Sequence, residues 1–273
     1  MDVFISIDME GVAGVATREQ CRRGADDYGI GRRLMTAEAN AAVAGAVDAG
    51  ADQVVVRDAH GDMANLLPDE LDRRAELIIG SPSAHAMMEG IDTRPFAVAL
   101  FVGYHAAAGV EAAVLAHTYS GTSFHDVRID GRSVTEAELN AWLAGEYGIP
   151  VGLVTGDDRI CAVAEARLPG VRTVKVKRGH GFTVAASRHP EDARAAIRAA
   201  AADAVRGAPE LTPTVASGPV TIEVDLTDLR RADLCALPPH VERDGRTVRY
   251  TGERYLDAFH CLRTWLHLAA AAR

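Results

Sequence analysis

A chain of 273 residues, 48% hydrophobic, is long enough for one large α/β domain or two smaller ones. Its formal net charge of −9 and the lack of any Lys/Arg-rich block argue against nucleic acid or an anionic membrane as a partner. No apolar run reaches the length of a membrane span. The start, Met1-Asp2-Val3-Phe4, enters a strand pattern without a basic leader, so a cytoplasmic protein is expected.

Strand-like apolar runs fall at 3–7, 53–57, 75–79, 97–102, 114–118, 151–155 and 172–176. Helical patterns lie between several of them, notably at 33–49, 135–147 and 158–167. Alternation of helices with continuously apolar strands predicts an α/β fold: a mostly parallel sheet with helices on both faces. Residues 127–130 and 133–134 flank Gly131, which reads as a tight turn. The stretch 190–206 is almost pure Ala, Arg, Asp and Glu at helical period, and a Gly, Pro and Thr-bearing segment follows at 207–219. Then come a strand at 220–226, a hairpin about Asp244-Gly245 and a long helix from about 253, a smaller C-terminal α+β unit. The expected division is a metal-binding α/β domain at 1–188 and the smaller unit at 189–273; the last third completing a single domain is the other reading.

The first strand pattern ends in Asp8-Met9-Glu10-Gly11. Alternate residues of a strand share a face, so the two carboxylates are expected side by side at its carboxyl end. Close like charges repel unless a cation lies between them. A divalent ion held by hard oxygen ligands is one reading, and an ordinary solvated strand end is the other. The run at 53–57 leads into Asp58-Ala59-His60-Gly61, and that at 97–102 into Gly103-Tyr104-His105. One histidine at a strand end is usually a surface or core residue. Three such ends coincide where open α/β sheets bind ligands. Asp8, Glu10, His60 and His105 form a donor set suited to Zn²⁺ or Mn²⁺, with Asp58 orienting an imidazole from behind.

Glu136 follows Ser133 at the spacing of a capping box, and from spacing alone the cap is the preferred reading. His117, inside the apolar run 114–118, reads by default as a hydrogen-bonded core histidine; the alternative is a general base or a group stabilising charge at a scissile carbonyl. Gly11 and Gly14 lack dinucleotide spacing, and Asp8 and Glu10 would repel a phosphate. His260 and His267 lie seven apart on one face of the last helix and read as packing or solvation. Cys21, Cys161, Cys235 and Cys261 form no CxxC pair and read as reduced thiols.

Seven blocks occur in collinear order over nearly the whole chain. They are Ser6-Ile7-Asp8-Met9-Glu10-Gly11, Met35-Thr36-Ala37-Glu38-Ala39-Asn40, Asp58-Ala59-His60, Gly103-Tyr104-His105-Ala106, Val134-Thr135-Glu136, Leu139-Asn140-Ala141 and Thr155-Gly156-Asp157-Asp158-Arg159. Each is weak alone; together they resemble the zinc-dependent D-aminopeptidase family of DppA-type metallopeptidases. The resemblance implies two zinc ions, with Mn²⁺ or Co²⁺ as substitutes, held by Asp8, Glu10, His60, His105 and Glu136, with Asp8 bridging. It implies that His117 is catalytic, that an N-terminal D-residue is released from short peptides, and that the assembly is a ring-shaped homo-oligomer such as a decamer. It reverses the capping-only reading of Glu136 and the core reading of His117. The Ala-rich stretch 106–116 and Arg178-Gly179-His180-Gly181-Phe182 depart from the family pattern and bear on the substrate pocket. Two competitors remain: a related metal-dependent hydrolase of L-peptides, non-peptide amides or phosphoesters, and a non-catalytic metal-dependent scaffold that would not need His117.

Overall fold

The computed structural model describes residues 1–272. Its first half holds β1 (Asp2–Ile7), α1 (Arg18–Cys21), α2 (Tyr28–Asp48), β2 (Gln53–Asp58), β3 (Ala75–Ile78), β4 (Val98–Tyr104), β5 (Phe124–Ile129), β6 (Arg132–Ser133) and α3 (Glu136–Glu146). Then follow β7 (Val151–Asp157), α4 (Asp158–Arg167), β8 (Arg172–Gly181), β9 (Val184–Ser187) and α5 (Pro190–Arg206). The chain closes with β10 (Val220–Leu226), α6 (Leu229–Cys235), β11 (Glu242–Asp244), β12 (Thr247–Gly252) and α7 (Tyr255–Ala271). No helix among the described residues is long and apolar enough to cross a membrane.

Seven strands form one sheet in the order β3-β2-β1-β4-β7-β8-β9, parallel throughout except for the β8–β9 hairpin. The apolar strand runs follow from burial on both faces. Within them the pleat still sorts residues: Val3, Ile5 and Ile7 join a core under α2 and α5, while Phe4 joins the opposite core with residues of α3 and α7. A second, antiparallel sheet of order β11-β12-β10-β5-β6 packs into that opposite core through Val127, Ile222 and Val224. Its strands come from both sides of residue 188, because β10 pairs with β5.

The apolar run at 114–118, expected as a strand, is a loop. Its backbone groups bond to scattered partners instead of a ladder: Val114 N–H to Asp157 Oδ2 at 2.9 Å, Leu115 N–H to Phe182 O at 2.8 Å and His117 N–H to Ala106 O at 3.2 Å. Leu115 and Tyr119 take positive φ, 52° and 61°, which no strand accommodates. Val114 and Leu115 are apolar because the loop itself is buried.

Candidate metal centre

The first strand stops at Ile7, so Asp8 and Glu10 lie beyond the pleat, in a turn. What brings them to the site is the way this turn folds onto the end of β4. Asp8 N–H donates to Val102 O at 2.9 Å, and Gly11 N–H donates to Gly103 O at 2.7 Å. A methyl on Gly11 would sit 2.0 Å from Tyr104 O, and one on Gly103, whose φ is +68°, 2.3 Å from Asp8 O. Two glycines therefore let two strand ends touch, which sets Asp8 beside His105. Lys177 of β8 fixes the rest of the turn. Its buried Nζ donates to the carbonyls of Glu10, Val12 and Val15, the last two at 3.0 and 2.6 Å.

Each imidazole is anchored on the main chain. His60 Nε2 meets Cys21 O at 2.8 Å, His105 Nδ1 meets Ala106 O at 3.0 Å, and His117 Nδ1 meets Leu115 O at 2.8 Å. A carbonyl only accepts, so those nitrogens carry the ring protons. In the neutral ring the other nitrogen is then an acceptor, and in all three it faces carboxylate. His60 Nδ1 lies 2.8 Å from Glu10 Oε2 and 3.2 Å from Asp8 Oδ1. His105 Nε2 lies 3.3 Å from Asp8 Oδ2 and 3.5 Å from Glu136 Oε2, and His117 Nε2 lies 3.9 Å from Glu136 Oε1. Acceptor against acceptor is repulsive unless a proton or a metal ion lies between. His105 Nε2 is buried without a hydrogen-bond partner, which fits a nitrogen that ligates a cation.

The electrostatics are those of a cluster that draws positive charge, a proton or a metal ion. Asp8, Glu10 and Glu136 are all buried, and imidazoles face their oxygens. Burial and the neighbouring Glu10 push the Asp8 carboxyl above its usual range. Burial also opposes ionisation of Glu10 and Glu136, but His60 and His105 outweigh it and hold both below theirs. Burial disfavours charge on His60 and His105 too, yet the carboxylates facing them win and raise both well above the ordinary imidazole value. Among the described residues, three groups place ligand-type atoms within 4.8 Å of one another: Asp8, Glu10 and His105; His105, His117 and Glu136; and Glu10, Cys21 and His60. All belong to this one cluster. Cys21 was not expected there; one cysteine in an Arg-rich turn carries no signal.

Two sequence expectations need restating. The helix after Gly131 is capped by Thr135, with Glu138 closing the capping box, rather than by Ser133 and Glu136. Ser133 is still in β6, two residues too early to cap. Glu136 is thereby free of capping, and its Oε1 accepts from Tyr119 N–H at 2.6 Å. Asp58 holds the loop instead of the ring. Its carboxylate accepts from His60 N–H at 3.3 Å, from Asn65 N–H and Nδ2 at 2.6 and 2.8 Å, and from Leu66 N–H at 2.7 Å.

Two cavities meet at the cluster. The wider, about 620 Å³, is lined by Arg18, Arg22, Arg23, His125 and Phe182 besides Glu10, His60 and His117. Both segments that depart from the family pattern contribute to it, through Ala108, Gly109, Ala116 and Phe182. The narrower, about 200 Å³, runs from Asp8, Glu10, His60 and Glu136 to Arg263 and His267 of α7. His267, read from sequence as packing or solvation, lines this chamber. Arg263 went unseen and His267 was misplaced because nothing local links the last helix to the first strand.

A family model described as D-aminopeptidase matches residues 1–264. A D-aminopeptidase of Bacillus subtilis (strain 168) is 31% identical over 271 residues, 98% of this chain and 98% of its own length. The solved structure of the Zn-dependent D-aminopeptidase DppA from Bacillus subtilis, described as a self-compartmentalizing protease, is similar with a TM-score of 0.94 at 31% identity, covering 99% of this chain and 98% of that one.

Proposed function

The chain belongs to the D-aminopeptidase family, and from that premise we propose that it is a zinc aminopeptidase releasing an N-terminal D-residue from short peptides at a two-ion centre. One observation carries the two-ion reading. Asp8 turns one oxygen toward each of two imidazoles, Oδ1 toward His60, which also meets Glu10, and Oδ2 toward His105, which also faces Glu136. A bridging carboxylate flanked by one imidazole and one carboxylate on each side is a donor set that suits zinc, with Mn²⁺ or Co²⁺ as replacements. When bound, the ions supply Lewis acidity that brings a water's pKa toward neutrality and polarises a carbonyl.

The chain's own residues do the rest. Asp8, Glu10, His60, His105 and Glu136 hold the centre. Their main-chain anchors fix ring orientation in advance, which limits reorganisation during turnover. His117 differs from the other two histidines in facing a single carboxylate, and like His60 it lines both cavities. We assign it proton transfer to the leaving amine or stabilisation of charge at the scissile carbonyl. The wider cavity admits the peptide, and the negative cluster favours a free amine. The relative's self-compartmentalizing assembly supports a closed ring of identical chains, a decamer being one form, that restricts entry to short peptides. The described cysteines are all unpaired, which supports a cytoplasmic location.

Protein purified without chelator should contain close to two metal equivalents and release alanine from D-alanyl-D-alanine faster than from L-alanyl-L-alanine, sparing an N-acetylated control. Equal or faster L-cleavage would remove the D-preference. Cleavage of the acetylated control would remove the aminopeptidase reading. Absence of site metal would remove the two-ion centre.

A further inference from the structure

The narrower chamber has the acidic cluster on one wall and α7 on the other, where Arg263 and His267 face it from adjacent helical turns. Arg263 is only 7% exposed. Its guanidinium makes two long contacts, 3.4 Å to Ser83 O and 3.4 Å to His267 Nε2, and its Nε is buried with no partner. No carboxylate pairs with it among the described residues. A buried, unpaired guanidinium is costly, and natural proteins supply such a group with oxygens. Burial lowers its pKa, but an arginine keeps its proton at any working pH. Arg57 makes the contrast: it is buried too and its Nη1 also lacks a partner, yet it donates to Ala86 O and Gly80 O at 2.9 Å each and lines neither cavity. Arg263, by contrast, lines the narrower chamber with only two long contacts for its donors.

The chamber fixes the size of what arrives. About 200 Å³ is below the roughly 300–1,000 Å³ typical of drug-sized ligand sites, so there is room for about one residue. The opposite wall is the proposed metal centre, so a substrate held there can bring its own anion to Arg263. Resting on the peptidase reading above, we propose that Arg263, backed by His267, is the receptor for a carboxylate carried by the substrate. Two carboxylates qualify: an acidic side chain on the residue being released, and the terminal carboxylate of a dipeptide. A planar guanidinium matches either in bidentate fashion.

The zinc-loaded enzyme is tested in two arms, with D-alanine anilide as the neutral reference. One arm compares the α-anilides of D-aspartate and D-asparagine. The other compares D-alanyl-D-alanine with its C-terminal amide. In one arm the wild type should favour the carboxylate substrate by roughly 10–100-fold in kcat/KM, mainly through KM. Arg263→Met should bring that ratio near one, and Arg263→Lys should keep part of it. A wild type without preference in either arm overturns the proposal, and needs no variant to fold. Parallel losses on charged and neutral substrates in Arg263→Met overturn it too. A wild type that prefers the carboxylate but cleaves the D-alanine anilide as well leaves the peptidase reading standing; one that cleaves nothing overturns both.

Discussion

The rings of His105 and His117 lie nearly parallel, with centroids 4.3 Å apart and planes inclined by 15°, and both face Glu136 through different oxygens. Only His105 also reaches Asp8. The pair thus divides into an inner ring embedded in the carboxylates and an outer ring, 23% exposed at its side chain, at the junction of the cavities.

That division predicts a split phenotype. His117→Ala should lower kcat by roughly 10²–10⁴-fold while metal content stays near that of the wild type. Turnover assays alongside elemental analysis decide it. Near-normal turnover returns His117 to a packing role, and loss of metal makes it a ligand.

His60→Ala removes the nitrogen that both Asp8 Oδ1 and Glu10 Oε2 face. Metal affinity should fall by at least about 10–100-fold, the range that even indirect ligand support reaches. Competition against a chromogenic chelator gives the number. An unchanged affinity would exclude His60 from the centre.

Gly11→Ala should be far worse than an ordinary glycine substitution. Its methyl meets main-chain atoms of Gly103 and Tyr104 within 2.5 Å, and these cannot step aside. A loss above about 3 kcal/mol is expected. Gly50→Ala is the control: its φ is +87° but nothing lies within 4 Å, so backbone strain alone should cost about 1 kcal/mol. Denaturant unfolding of the two variants should separate them clearly; equal losses would mean that the strand ends can part.

Glu38 is buried on α2, with Oε1 accepting from Ala13 N–H at 2.8 Å and Oε2 unpartnered. Burial raises its pKa from 4.5 to about 7. The folded state therefore holds this proton more tightly than the unfolded chain does. The penalty is absent below pH 4.5, grows between 4.5 and 7, and is complete above. Glu38→Gln should gain on the wild type by up to about 3 kcal/mol as pH rises from 4.5 to 8. Unfolding at both ends of that range tests it, and a gap independent of pH would contradict it.

Much of the site was legible because its residues follow apolar runs, and the ends of parallel strands collect on one edge. The pleat that would set Asp8 beside Glu10 nevertheless stops at Ile7; they converge through the contact of Gly11 with β4, which joins positions about 90 residues apart and leaves no local pattern. Helix starts were readable to within about two residues, and that margin was enough to give Glu136 the capping task that Thr135 and Glu138 perform. The loop carrying His117 looked like a strand because burial, not pairing, makes Val114 and Leu115 apolar. Arg263 and His267 had only helical spacing to offer, which says that they share a face and not what the face meets.

Lys177 has one more consequence, for anyone who wishes to label this protein. The chain contains two lysines, Lys175 and Lys177. Burial lowers the Lys177 pKa to about 8, a value that would make an accessible amine an eager nucleophile. Enclosed and donating to three carbonyls, it is out of reach of acylating reagents. Amine chemistry is thereby confined to Lys175 and the N-terminus, so a dye or a surface can be attached through amines while the turn that carries Glu10 stays untouched.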